Sequence, residues 1–263
     1  MNKVRHSLAL CLCFAATAIP ALADTVSGPE GEIEITAITH NGAQLLHGDL
    51  VVTVDPWGVM GLEGLQTADL ILVTDNPGHH LDPEAIAALS DADTVVLMPA
   101  NSRQRLPHGM VIENGEETTI AGVRIEAIAA YDIIPGAPEH PMGDANGYVV
   151  TLGGLRFFFA GVTECVDEVK AVRDIDVAFM PMNIPVGRMT PAAAAECTHL
   201  LEPDVVYLYH YDQGYARRAA NPDADAGGLV DGMTIEETLQ AFERELASSG
   251  IEVRRGEFYP PLP

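Results

Sequence analysis

The stretch from Ala68 to Asp82, ADLILVTDNPGHHLD, narrows the possible folds more than any other part of the chain. It opens with an unbroken apolar run, Leu70 to Val73, the pattern of a fully buried strand. A polar loop follows, holding Asp75, Asn76, Pro77, Gly78, His79 and His80. A helix comes next, with Asp82 as its N-cap and Pro83 in its first turn, where a missing N–H needs no partner. A buried strand that delivers Asp and His to the loop at its C-terminal end is a common way to build a metal site.

The flanking segments read as short strands and helices. Gly31 to Ala37, Ala43 to Leu46 and Leu50 to Val54 are joined by turns at Asn41-Gly42 and His47-Gly48, which predicts an antiparallel meander. Asp55-Pro56-Trp57 ends the third strand. Pro83 to Leu89 reads as a short helix and Thr94 to Met98 as a strand. Glu117 to Ile120 and Val123 to Ala129 form a hairpin across Ala121-Gly122. The second half repeats this style, with strands at Gly147 to Thr151, Leu155 to Ala160, Val177 to Met180, Val205 to Leu208 and Ile251 to Arg254. Thr190 and Pro191 open a helix running to about Leu201, and Thr234 with Glu237 forms a capping box for a helix to about Ser248. Asn221 to Gly232 lacks the glycine and terminal glutamate of a calcium loop and reads as a solvated insertion. No linker or tandem repeat divides the chain, so residues 24–263 are expected to form one domain.

The first 23 residues look like a secretory leader. Lys3 and Arg5 make a basic start, Leu8 to Ile19 is apolar, and Ala21-Leu22-Ala23 offers a cleavage site before Asp24. An exported chain, periplasmic or secreted, is the expectation. Losing Lys3 and Arg5 would take the net charge from −24 to −26. So negative a chain repels nucleic acid and anionic lipid surfaces, which leaves a small molecule as the expected substrate or ligand. Cys165 and Cys197 remain after the leader, and both are expected to be unpaired.

Taken in order, several landmarks resemble the metallo-β-lactamase superfamily, in its lactonase-like branch. They are Ile38-Thr39-His40-Asn41, Asp55-Pro56-Trp57, the loop from Thr74 to Asp82, Ala130-Tyr131-Asp132, His140-Pro141, Gly147-Tyr148-Val149, Ala160-Gly161-Val162-Thr163, Pro181-Met182-Asn183 and His210-Tyr211. The resemblance runs from about Ile33 to Tyr259. It implies an α/β (α+β) fold, a four-layer αββα sandwich with metals at one edge of two sheets.

The resemblance also implies a ligand set, and here the chain departs from it. Asp75 and Pro77 stand where the first two histidines of the family motif fall, His79 stands for its aspartate, and only His80 is intact. Val162 replaces the bridging aspartate. One metal site therefore keeps His140 and at best Asp75. The other keeps His80 and His210 and gains His79. A single zinc ion on His79, His80 and His210, or none, is the expectation. Three neutral imidazoles leave a zinc ion its full charge, which lowers the pKa of bound water to about 7. Asp75 is the candidate fourth ligand or catalytic base, and Asp82 could orient a ligand histidine, although capping alone accounts for it. His40, His47, His108 and His199 read as structural or surface residues. Two functions stay open: a one-metal hydrolase of an ester, lactone or phosphoester, and a non-catalytic member of the fold that binds a small molecule or partner.

Overall fold

A computed structural model describes residues 23–135, 139–225 and 227–263. All but the last residue of the expected leader lies outside them. No helix among the described residues is long and apolar enough to cross a membrane.

The described strands form two seven-stranded sheets built to one plan. The first runs β1 (Asp24–Gly28), β2 (Gly31–Ile38), β3 (Gly42–His47), β4 (Leu50–Val54), β5 (Leu70–Leu72), β6 (Val95–Met98) and β7 (Met110–Val111). The second runs β8 (Glu117–Ile120), β9 (Val123–Ala130), β10 (Ala145–Leu152), β11 (Leu155–Phe159), β12 (Val177–Pro181), β13 (Val205–Tyr209) and β14 (Glu252–Arg254). Each begins as an antiparallel meander and turns parallel, from β4 in the first sheet and from β11 in the second.

Alternation along the strands decides what each face buries. Phe157 and Phe159 of β11, Val177 and Phe179 of β12, and Val205, Tyr207 and Tyr209 of β13 point between the sheets. There they meet Ile33, Leu45, Val52, Val54, Leu70 and Leu72. The intervening Phe158, Ala178, Met180, Val206 and Leu208 point outward, onto the helical layer. That layer is α2 (Asp167–Lys170), α3 (Pro191–Leu201) and α5 (Ile235–Leu246), which bury Val169, Cys197, Leu201, Leu239 and Phe242. On the opposite side α1 (Pro83–Ala88) covers Ile71 and Val73. The order helix, sheet, sheet, helix is the four-layer sandwich expected from the sequence.

The caps form as read. Asp82 accepts from Glu84 N and Ala85 N, Thr190 from Ala193 N, and Thr234 with Glu237 completes the capping box. The sequence signals no strand at β1 or β7 and no helix at α2 or α4 (Gln213–Ala220), all short or directly beside a turn.

The expectation of unpaired cysteines is corrected. Cys165 and Cys197 form a disulfide, with Cα atoms 5.7 Å apart. The loop after β11 turns back over the outer face of the second sheet, so Cys165 packs into the same cluster as the buried face of α3, which carries Cys197. Contact between a loop and a helix of separate elements carries no local sequence signal.

Candidate metal centre

The chemistry-bearing residues gather where strands end. His40 and Asn41 follow β2, Asp55 follows β4, and Thr74 to His80 follow β5. Asp132 and His140 lie between β9 and β10, and His210 follows β13. Backbone bridges tie the two sheets at this edge: His210 N donates to His40 O at 2.7 Å and Asn146 N to Thr74 O at 2.8 Å, while His40 N donates to Phe258 O at 2.8 Å. His40, Asp55 and His210 have φ values of 74°, 44° and 54°. That left-handed region costs an ordinary residue about 1–2 kcal/mol, and such strain is retained where the surroundings over-determine it.

Four histidine rings pack together. His40, His79 and His210 each bring a ring nitrogen within 4.8 Å of the others, a spacing one metal ion could span. His79 Nε2 lies 3.3 Å from His210 Nε2. The His80 ring stacks on His210 with centroids 5.2 Å apart and lies 4.6 Å from that of His79. Trp57 walls the cluster, edge-on to His40 and His79. Burial, reinforced by the neighbouring histidines, holds His40 and His210 well below the ordinary histidine value, and brings His79 to about 3. These three rings are therefore neutral at pH 7, the form in which imidazole binds a metal.

His80 is oriented from behind. Its Nδ1 lies 2.7 Å from Asp55 Oδ2 and 3.0 Å from Thr74 Oγ1. Asp55 is fully buried and anchored in turn: Thr74 N donates to Oδ1 at 2.7 Å, and Thr74 Oγ1 and Asn41 Nδ2 donate to Oδ2. With Nδ1–H donating to the carboxylate, the lone pair of His80 sits on Nε2, which is buried and has no hydrogen-bond partner. A carboxylate behind an imidazole whose far nitrogen is free is the arrangement that tunes a metal-binding histidine. Asp82, the residue expected in that role, spends its hydrogen bonds on backbone: Gly58 N, Glu84 N and Ala85 N. The work falls to Asp55 because β4 and β5 run parallel with Val54 opposite Leu72, which sets the following residues side by side.

Asp75 lies against His140, whose Nε2 is 3.0 Å from Asp75 Oδ2. Burial alone would raise the Asp75 pKa, but the close pairing with His140 and the nearby imidazoles outweigh it and keep the carboxyl below its usual range. Asp132 holds the His140 loop, accepting from Glu139 N and His140 N at 2.9 Å each, and is itself paired with the buried Arg188. Val162, at the bridging position, is buried in the outer core, and Pro77 is exposed. Neither offers a ligand atom.

The structure packs the rings of His79, His80 and His210 together and sets His140 against Asp75, but the ring nitrogens close enough to share an ion are those of His40, His79 and His210, a set without His80. It adds His40, which the sequence alone presents as structural or surface, and the supporting Asp55, Gln213 and Tyr259. Gln213 Nε2 reaches His210 Nδ1 at 3.0 Å, and Tyr259 Oη reaches His40 Nδ1 at 3.1 Å. One signal was present: Asp55 and Asp75 both follow buried apolar strands, so each was a candidate for the same edge.

A two-sheet sandwich with buried histidines at its strand ends is the architecture of the metal-dependent hydrolases, and comparison with known proteins agrees. The profile of the beta-lactamase superfamily domain matches residues 34–210. UPF0173 metal-dependent hydrolases of Thermococcus kodakarensis and Pyrococcus abyssi are 31% and 30% identical, over 65% of this chain and 82% and 79% of their own. A crystal structure from Parabacteroides distasonis, provisionally described as a metal-dependent hydrolase, is 34% identical with a TM-score of 0.76, covering 90% of this chain and 99% of that one. A metallo hydrolase from Ignicoccus hospitalis, 17% identical with a TM-score of 0.64 over 88% of this chain and 97% of its own, shares the fold. The chain belongs to the beta-lactamase superfamily, in its metallo-β-lactamase fold.

Proposed function

We propose that this protein is an exported hydrolase that holds one metal ion and cleaves an ester, lactone or phosphoester of a small molecule. The observation that carries this reading is the His80 Nε2 lone pair, buried, without a partner, and fixed by Asp55 behind it. An uncompensated buried acceptor costs stability, and a metal ion satisfies it. His79, His80 and His210 would hold that ion. When bound, it supplies Lewis acidity to the substrate and acidifies water at neutral pH.

The chain's own groups do the rest. Asp75, kept ionised by His140, is the acceptor available for a proton from the attacking water, at Oδ2. Trp57 and Tyr259 close the cluster from two sides and limit its water.

Zinc should be retained after dialysis of the purified chain in one equivalent, and His80→Ala should lose it. Esters, lactones and phosphoesters of 4-nitrophenol or coumarin would then be screened with the loaded protein. One specific feature favours the non-catalytic alternative: the bridging position holds Val162, packed in the core. Failure to retain zinc at any micromolar concentration would remove the hydrolase reading and leave that alternative. Two equivalents would overturn the single site. Export is tested separately, since the mature chain should begin at or near Asp24 by N-terminal sequencing.

A further inference from the structure

His40 and His210 meet their neighbours differently, and the difference fixes where each carries its proton. A phenol hydroxyl has one hydrogen to give and two lone pairs to receive with. Tyr259 Oη receives from Tyr211 N at 2.8 Å and from Asp212 N at 3.1 Å, which uses both lone pairs. Its own hydrogen is left for the third neighbour, His40 Nδ1, at 3.1 Å. Desolvation holds the Tyr259 pKa well above 10, so the phenol keeps that hydrogen at neutral pH. Nδ1 of His40 is therefore an acceptor, and a neutral imidazole in that position carries its proton on Nε2. The His40 Nε2 is buried and has no partner.

His210 has a freedom that His40 lacks. Gln213 Nε2 donates both to His210 O at 2.9 Å and to His210 Nδ1 at 3.0 Å. Gln213 is half-buried at the start of α4, so its amide can turn its oxygen toward Nδ1 and release the Nε2 lone pair of His210. Tyr259 cannot make that exchange, because two backbone N–H groups pin its oxygen. Of the three rings close enough to share an ion, His40 is the one locked as a donor.

We propose that His40 is not a metal ligand but a catalytic hydrogen-bond donor, whose Nε2–H meets the substrate's carbonyl or phosphoryl oxygen as negative charge gathers there. Its place fits: the ring centroid lies 4.2 Å from that of His210 and 5.3 Å from that of His79. A pre-aimed donor in a dry site is worth far more than in water and needs no reorganisation at the moment of reaction. The proton stays on Nε2 throughout, and no covalent bond at His40 forms or breaks. The role in catalysis rests on the hydrolase reading above, whereas the tautomer does not.

Two measurements separate them. In the metal-free chain, long-range proton–nitrogen NMR correlations should show His40 protonated at Nε2 and bare at Nδ1, with the signals assigned by their loss in His40→Gln. Tyr259→Phe, which keeps the ring and removes the hydroxyl, should release the tautomer into a mixture. A His40 protonated at Nδ1 in the natural chain overturns the proposal. In the zinc-loaded chain, His40→Gln should retain one equivalent of zinc as the natural protein does. Its kcat on 4-nitrophenyl acetate should fall about 100-fold with KM little changed, the usual cost of one such donor. Zinc lost from His40→Gln makes His40 a ligand and overturns the proposal. Should His40→Gln fail to fold, Tyr259→Phe carries the same test, with zinc retained and kcat lowered. A natural chain that holds zinc and turns over none of the ester, lactone or phosphoester probes removes the hydrolase reading, and the catalytic role with it, whatever the tautomer.

Discussion

Acid should unfold the metal-free protein unusually steeply, and the histidine cluster sets the amount. His40, His79 and His210 have folded pKa values below the unfolded value of 6.5, His79 at about 3. The sign follows from which state binds more protons. Below pH 6.5 the unfolded chain takes up three that the folded chain refuses, so stability is full above 6.5 and is lost as pH falls. For His79 the loss continues until pH reaches about 3. A ring that stays neutral gives up to about 1.4 kcal/mol per pH unit, so His79 alone removes about 2 kcal/mol between pH 6.5 and 5.0. His40 and His210 add to the loss in the same direction, which makes it a sizeable part of the 5–15 kcal/mol typical of a folded domain. Carboxylates titrate mostly below this window, which isolates the histidine contribution. The assay is urea unfolding of EDTA-treated protein at half-unit steps from pH 7.5 to 5.0. His79→Asn should lower the loss by about 2 kcal/mol. A total loss under about 2 kcal/mol would show that the rings protonate inside the folded protein, and would refute the reasoning from burial.

The remaining predictions concern particular pairs. Cys165 and Cys197 should give no free thiol on titration after denaturation, and the loop of 32 residues they close should make the double Cys→Ala variant less stable by about 3–4 kcal/mol in urea unfolding. Asp55→Asn should weaken zinc binding about 10–100-fold in a competition titration, because His80 loses the carboxylate that fixes its ring. His79→Asp should hold zinc at least as tightly as the natural chain in the same titration, since a carboxylate adds negative charge beside the cation. His140→Ala should leave zinc content unchanged while raising the pKa of Asp75, read by carboxyl-carbon NMR, because the partner that keeps it ionised is gone.

What was legible in the sequence was local or periodic. Leu70 to Val73 announced a buried strand, Asp82 and Thr234 announced helix starts, and the apolar runs within Leu155 to Ala160, Val177 to Met180 and Val205 to Leu208 announced further strands. The histidines of one loop, His79 and His80, were found because they are neighbours in the chain. His40 escaped because its place beside His210, 170 positions further along the chain, depends on two sheets docking. The same reason hid the disulfide and the reach of Tyr259 to His40. Asp82 drew attention as the nearest acid to His80 in sequence, whereas parallel pairing of β4 and β5 puts Asp55 there in space.

The backbone bridge from His210 N to His40 O has a consequence for the order of events in making the protein. The first sheet carries His40, Asp55, Asp75, His79 and His80, and synthesis completes it early. His210, Gln213 and Tyr259 arrive with the last quarter of the chain. A nascent protein lacking that quarter has no floor beneath His40 and nothing to set its tautomer. Its histidines are then ordinary, basic and open to water. The cluster comes into being only when the two halves close on each other, so the metal ion proposed for it would be taken up by the finished molecule, and a lesion that parts the sheets at this edge would disperse it.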